Sequence, residues 1–285
     1  AACKAAKFWM KHGGFKAEVI KMEKIGQVHF LFHGENEIIS KYFDFVKPLL
    51  LENTKELTKN MKSRGGGIND IELINKTADL EGYYQLFAKF NTVDAMGANF
   101  INSCLEEFSK TFCDSISKFN NENLKFEDIE IIMSILSNYV PNCIVKSSLS
   151  CHVSELNSLE PETRNFANRL VKAIEIANSD IHRAVTHNKG IMNGVDAVAI
   201  ATGNDFRAIE AGAHAYASIG KYKSLSKAYI KNEIFYFELK LPLAIGTIGG
   251  VTNLHPLVKL ALEILENPNA KELMNIIASV GLAQN

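Results

Sequence analysis

The sequence predicts an α+β chain in which a compact strand-and-helix module, residues 22–140, is inserted into a larger mixed domain formed by residues 1–21 and 141–285. Three observations carry this. Apolar residues in residues 22–140 follow a strand–helix–strand–strand–helix–strand order. The remainder is richer in helical spacing, with one strand-like hairpin. At 285 residues the chain is long enough to bury a core in one large domain or two.

The elements follow in order. Val28, Phe30 and Phe32 alternate with His29, Leu31 and His33, the period of a half-buried strand. Gly34 turns the chain, and Asn36 is placed to cap a helix in which Ile39, Tyr42, Phe43, Val46 and Leu50 hold helical spacing. After SRGGG (Ser63–Gly67), Ile71 and Leu73 begin a strand. TADLEG then turns into another, with Tyr84, Leu86, Ala88 and Phe90 on one face. Met96, Phe100, Cys104, Leu105, Phe108 and Phe112 form the stripe of a second helix, and Ile129, Ile131, Met133 and Ile135 alternate as a closing strand. This is the split βαβ, ferredoxin-like arrangement.

In the larger domain, Pro161 stands at the first turn of a helix carrying Phe166, Leu170, Ile174 and Ala177. A short segment with Lys189 and a helix after Asp205 follow. Residues 227–245 alternate as a hairpin around Lys231–Asn232, GTIGGVT (Gly246–Thr252) comes next, and helices are expected at about 254–266 and 269–282.

A net charge of −1 and a pI near 6.8 argue against nucleic acid or an anionic membrane as the main partner. No apolar run reaches the roughly 18–20 residues of a membrane span, and no signal peptide is evident, so a cytoplasmic location is expected. The five scattered cysteines, Cys3, Cys104, Cys113, Cys143 and Cys151, read as buried thiols in a reducing compartment. The opening AACKAAKFW and the closing ASVGLAQN look like helices cut partway, which suggests a piece of a longer protein.

The chemistry centres on THNKGIMNG. Lys189 lies among His187, Asn188, Gly190, Asn193 and Gly194, where small residues let backbone approach a ligand and amides add polarity without charge. Such a lysine can stabilise the oxyanion formed when a carbonyl is attacked. Asp205 is either the N-cap of the next helix or the partner that holds Lys189 charged and aimed. DAMGAN (Asp94–Asn99) opens a helix after a strand, where free amides suit a phosphate. Gly65–Gly67, preceded by Lys59, Lys62 and Arg64, is either a solvated basic turn or a second anion site. His214, four residues after Glu210, lacks a third ligand at metal spacing and reads as structural; no metal is expected.

Together DAMGAN, ILSN (Ile135–Asn138), HRAVTHNKGIMNG (His182–Gly194), ATGNDFRAIEAGAHAYA (Ala201–Ala217), GTIGG and VGLAQN resemble, in order over nearly the whole chain, 3-hydroxy-3-methylglutaryl-coenzyme A (HMG-CoA) reductase of the soluble bacterial class. The resemblance implies an NAD(P)H-dependent oxidoreductase that interconverts HMG-CoA with mevalonate and coenzyme A by a four-electron reduction. It implies a nucleotide-binding module inserted in a larger domain built around a long central helix, and a homodimer with active sites at the subunit interface.

Carried over motif by motif, Lys189 would stabilise the reacting carbonyl oxygens and Asp205 would orient Lys189. Arg183 and Asn193 would contact the hydroxymethylglutaryl part. Asp94, Met96, Gly97, Ala98, Asn99 and Asn138 would line the nicotinamide nucleotide site. NADH-selective relatives place a carboxylate shortly before glycines matched here to Gly65–Gly67; the corresponding position is Thr58, followed by Lys59 and Lys62, so NADPH is expected to serve at least as well as NADH. The family's catalytic glutamate, in an EEPSV-like segment, and its C-terminal histidine are not matched in this chain. The rivals are a non-catalytic nucleotide-binding or regulatory module and, more weakly, a Rossmann dehydrogenase, which would need a strand–G-x-G-x-x-G–helix unit that is absent.

Overall fold

A computed structural model describes residues 2–119, 124–159, 165–250 and 254–284. The expected Pro161 helix start, the end of GTIGGVT and Asn285 lie outside the described residues. By contact the chain forms two compact units: Ala1–Met22, Asp94–Met96 and Asn138–Asn285 make one, Glu23–Val93 and Gly97–Ser137 the other.

The smaller unit runs β2 (Lys24–Phe32), α2 (Asn36–Asn53), α3 (Lys55–Lys62), β3 (Gly67–Asn75), β4 (Tyr83–Asn91), α4 (Ala98–Asp114) and β5 (Ile129–Ser137). Its sheet has the order β3-β4-β2-β5 with every pair antiparallel. This is the order of two interleaved split βαβ units. The alternation read from the sequence is the physical cause. Val28, Phe30 and Phe32 meet Leu86, Ala88 and Phe90 on the face covered by Ile39, Tyr42, Val46, Phe108 and Phe112 of α2 and α4. Each of these large apolar side chains contributes about 1.5–3 kcal/mol by leaving water. The Tyr42 hydroxyl donates to the Phe112 carbonyl, which lets a phenol sit in this core.

Three readings change. Glu35, not Asn36, is the N-cap of α2, and no side chain bonds there. The Asn36 Oδ1 accepts instead from Asn75 Nδ2 at 3.0 Å. α3, which sequence periodicity does not reveal, precedes the glycine turn. β5 does not keep one phase, because its register against β2 shifts between His29 and Phe30, from Met133 to Ile131. This one-residue bulge puts Ile129 and Ile131 inward but turns Met133 and Ile135 outward, and they are exposed. Ser134 and Leu136 take the inner side: the Ser134 hydroxyl meets Ser109, and the Leu136 amide donates to Asn102 Oδ1 at 3.0 Å.

The larger unit comprises α1 (Ala2–Lys11), β1 (Lys16–Met22), β6 (Cys143–His152), α5 (Val153–Asn157), α6 (Phe166–Ser179), α7 (Ile181–Ala201), α8 (Phe206–Ala217), β7 (Ser226–Lys231), β8 (Ile234–Pro242), α9 (Pro256–Ile264) and α10 (Ala270–Gln284). An antiparallel sheet, β1-β6-β8-β7, carries α7 and α10 in a core with Trp9, Val145, Phe235, Leu239, Ile191, Val195, Met274 and Ile277. The β7–β8 hairpin turns at Asn232 and Glu233, both with positive φ, as a tight two-residue turn requires. Edge strand β1 was not legible because its alternation, Lys16 and Glu18 against Ala17 and Val19, is short and breaks at the register shift between Val19 and Lys21.

Among the cysteines, Cys104, Cys143 and Cys151 are buried, Cys113 is partly so, and Cys3 is exposed, contrary to the uniform burial expected. Burial pushes the Cys104 thiol up to about 12 and that of Cys151 up to about 11. Among the described residues no helix is long and apolar enough to cross a membrane.

Candidate active site

The expected short segment around Lys189 is a 21-residue helix, α7. Asp180 starts it: its Oδ2 accepts from the Arg183 amide at 2.7 Å. Ala184, His187, Asn188, Ile191, Met192, Gly194, Val195 and Ala199 are buried on one face, but His187 and Asn188 make that face partly polar and Val185 and Ile200 are exposed, so no clean apolar stripe marks it. The two glycines differ in their surroundings. A Cβ at Gly194 would lie 2.9 Å from the Val280 carbonyl oxygen and 3.0 Å from Gln284 Cβ, so Gly194 lets α7 and α10 touch. A Cβ at Gly190 would meet nothing within 4 Å.

Two buried polar residues fasten α7 just before Lys189. His187 Nε2 lies 2.7 Å from Ser226 Oγ. Burial, with the charge of Arg183, pushes its pKa down to about 4, so the ring is neutral at pH 7. Asn188 Nδ2 donates to the Lys223 carbonyl at 3.0 Å, and its Oδ1 accepts from the Leu225 amide at 2.9 Å. Neither residue stands out by spacing alone; the available signal was a pair of polar side chains inside an otherwise buried helix. Lys189 and Asn193 are exposed one turn apart, hence on one face, and Arg183 is exposed nearer the helix start.

Asp205 is the N-cap of α8, its Oδ1 accepting from the Ala208 amide at 3.1 Å. No ion pair within 4.0 Å joins it to Lys189. The cap is therefore present in this structure and the pairing is not.

The motif ATGND meets GTIGG directly: the Gly246 amide donates to Asn204 Oδ1 at 2.9 Å. Gly246 also packs on Asp94–Met96, where a Cβ would stand 2.2 Å from the Met96 amide nitrogen. Asp94 holds this loop through its carbonyl, which accepts from Thr247 at 2.8 Å and Ile248 at 3.2 Å. Its carboxylate accepts from the Ala270 amide, at the start of α10, at 2.9 Å. So Asp94 and Met96 belong to the larger unit rather than to the inserted module, and Met96 is not part of the α4 stripe. Asn138 is in the same unit, its carbonyl oxygen 2.7 Å from where a Gly212 Cβ would be.

In the smaller unit, Gly97 precedes α4 in the left-handed region (φ 88°), with no side-chain cap. A Cβ there would strike Thr92 Cγ2 at 2.4 Å. The helix thus opens on the amides of Ala98 and Asn99, a place for an anion. Thr58 departs from expectation. It is fully buried on α3, and its hydroxyl donates to the Lys55 carbonyl at 3.1 Å, so its side chain packs α3 and is not presented to a ligand. Lys59 and Lys62 on the same helix are exposed; Lys59 lies 3.8 Å from Glu56. Among the described residues no cluster of three or more His, Cys, Asp or Glu could hold a metal.

The fold is similar to class II 3-hydroxy-3-methylglutaryl-CoA reductase from Streptococcus pneumoniae, solved bound to NADPH in open conformations, with a TM-score of 0.87 and 35% identity over 99% of this chain and 74% of that one. In sequence it is 32% identical to 3-hydroxy-3-methylglutaryl-coenzyme A reductase of Archaeoglobus fulgidus, over the whole chain and 62% of that protein. It is 34% identical to the probable reductase of Borreliella burgdorferi, over 80% of this chain and 50% of that one. The chain thus spans about half to three fifths of the length of these curated relatives. The hydroxymethylglutaryl-coenzyme A reductase family model matches residues 1–285, and the chain belongs to this family.

Proposed function

We propose that this chain carries the lysine-bearing core of an HMG-CoA reductase, which reduces HMG-CoA to mevalonate and coenzyme A at the expense of two NAD(P)H. The observation that supports it most is the exposure of Lys189 and Asn193 on one face of α7, fastened from behind by His187 and Asn188. A fixed ammonium stabilises the negative charge that develops on a carbonyl oxygen as it is reduced. Asn193 and Arg183 would orient the acyl group. Asp205, near the helix start, would turn toward Lys189 and keep it charged. Oxidation of NADPH on addition of HMG-CoA by the full-length protein tests this; no oxidation would reject it.

The cofactor fits the residues present, since Gly97 leaves the first amides of α4 free of a side-chain cap and α3 presents exposed lysines. Asn99 and the α4 amides would hold phosphate, and Lys59 and Lys62 would meet a 2′-phosphate. Bound NAD(P)H supplies the hydrides. Reversing both charges, Lys59→Glu with Lys62→Glu, is expected to lower kcat/KM for NADPH about tenfold while leaving NADH within about twofold. Equal losses for both cofactors would place these lysines outside the 2′-phosphate contact.

A homodimer is part of the same reading. On α9 the stripe Leu257, Leu260 and Ile264 is 68%, 51% and 72% exposed, and Leu254 just before it is 81% exposed. Contiguous apolar surface of this kind marks an interface. Leu257→Asp with Leu260→Asp should shift the sedimentation of the full-length protein toward monomer; an unchanged assembly would exclude this face.

A further inference from the structure

Asp196 lies on α7 two turns beyond Lys189 and faces Glu210 of α8, carboxyl to carboxyl. Two carboxylates in contact repel, so one proton between them is favoured. The Asp196 Oδ1 is buried without a hydrogen-bond partner. That costs far less for the carbonyl oxygen of a neutral acid than for half of a charged carboxylate.

From Glu210 the contacts continue. Glu210 Oε2 is 3.0 Å from His214 Nε2, and His214 Nδ1 is 2.8 Å from the Tyr222 hydroxyl. That hydroxyl is 3.2 Å from Asn188 Nδ2, back on α7. One assignment of hydrogens gives each of these contacts one donor and one acceptor: Asn188 donates to Tyr222, Tyr222 to His214 Nδ1, His214 Nε2–H to Glu210, and Asp196 to Glu210 as well.

We propose that Asp196 and Glu210 share a proton, Asp196 donating to Glu210 and closing a ring of hydrogen bonds through His214, Tyr222 and Asn188 that pins the Lys189–Asn193 segment of α7 at both ends. Asp196 and Glu210 are then positioning residues for Lys189, and this second half rests on the function proposed above. Burial and the Glu210 charge both raise the Asp196 pKa, to about 7. The other helices packed on α7 bring Arg169, Lys172 and Glu175 from α6, Lys259 and Glu263 from α9, and Lys271 and Glu272 from α10; none of them contributes to that rise.

Isotope-edited infrared spectroscopy on the full-length protein at pH 7, with labelled aspartate, tests the ring. A protonated-carboxyl band is expected, lost in Asp196→Asn. In kinetics, Asp196→Asn keeps an N–H donor toward Glu210 and should hold kcat within about threefold. Asp196→Leu should lower kcat about tenfold with a smaller change in the KM for HMG-CoA, because Lys189 is misplaced rather than lost. No protonated band in the unaltered protein, or equal losses from the Asn and Leu variants, would overturn the proposal. If the unaltered protein does not oxidise NADPH with HMG-CoA, the function fails, and the infrared band still decides whether the ring exists.

Discussion

Lys189→Ala in the full-length protein is expected to lower kcat by about 10²–10³-fold, as removal of an oxyanion-stabilising donor does. The KM for HMG-CoA should move only a few-fold, because the charge that Lys189 meets is greatest in the transition state rather than in the bound thioester. The fold should survive: Lys189 is exposed, α7 is anchored by His187 and Asn188 rather than by Lys189, and alanine favours a helix. A melting temperature equal to wild type with turnover lost is thus the combined expectation. Turnover within a few-fold of wild type would remove Lys189 from the chemistry.

The second large effect separates two glycines four residues apart. Helix propensity alone says that Gly190→Ala and Gly194→Ala each stabilise α7 by up to about 1 kcal/mol. At Gly190 nothing opposes this, since the new methyl meets no atom within 4 Å, and a small rise in stability is expected. At Gly194 the methyl would press on the Val280 carbonyl oxygen at 2.9 Å, a backbone atom that cannot rotate away. Overpacking of this kind costs about 1–3 kcal/mol, which exceeds the propensity gain. Thermal denaturation should show Gly190→Ala at or slightly above wild type and Gly194→Ala lower by several degrees, at about 2–4 °C per kcal/mol. Both variants moving the same way would show that the α7–α10 approach is not set by Gly194.

What was legible in the sequence follows from how each element is solvated. β2, α2, β4 and α4 bury one face more deeply than the other, so Phe30, Tyr42, Leu86 and Phe108 fall at regular spacings and announce both the element and its core side. α7 buries one face, but that face carries His187, Asn188 and small residues while Val185 and Ile200 are exposed, so apolarity does not mark its core side, and its exposed Lys189 reads as part of a loop. β1 hid for another reason, its short alternation breaking at the register shift. The candidate motif stood out as a chemical grouping, lysine with amides and an aspartate to follow, but not as geometry. Its glycines proved to concern helix contact at Gly194, and Asp205 proved to cap α8. Thr58 illustrates the limit of matching by position: counting residues back from a glycine turn gives an address in the chain, and only the winding of α3 decides that the side chain points inward.

The bulge in β5 has a meaning for how this protein can change over time. Ile132 is the surplus residue that reverses the strand's phase, so β5 reads as two half-strands with opposite inner faces. In a regular strand, gaining or losing a residue shifts everything beyond it; here the shift is already built in. Deleting Ile132 would remove the bulge and leave one regular alternation, with Ile129, Ile131, Ser134 and Leu136 on the side facing α4 and Met133 and Ile135 outward. Substitutions along β5 are therefore constrained by which side of residue 132 they fall on, whereas a lineage that lost this residue would keep the same side chains against the opposite helix.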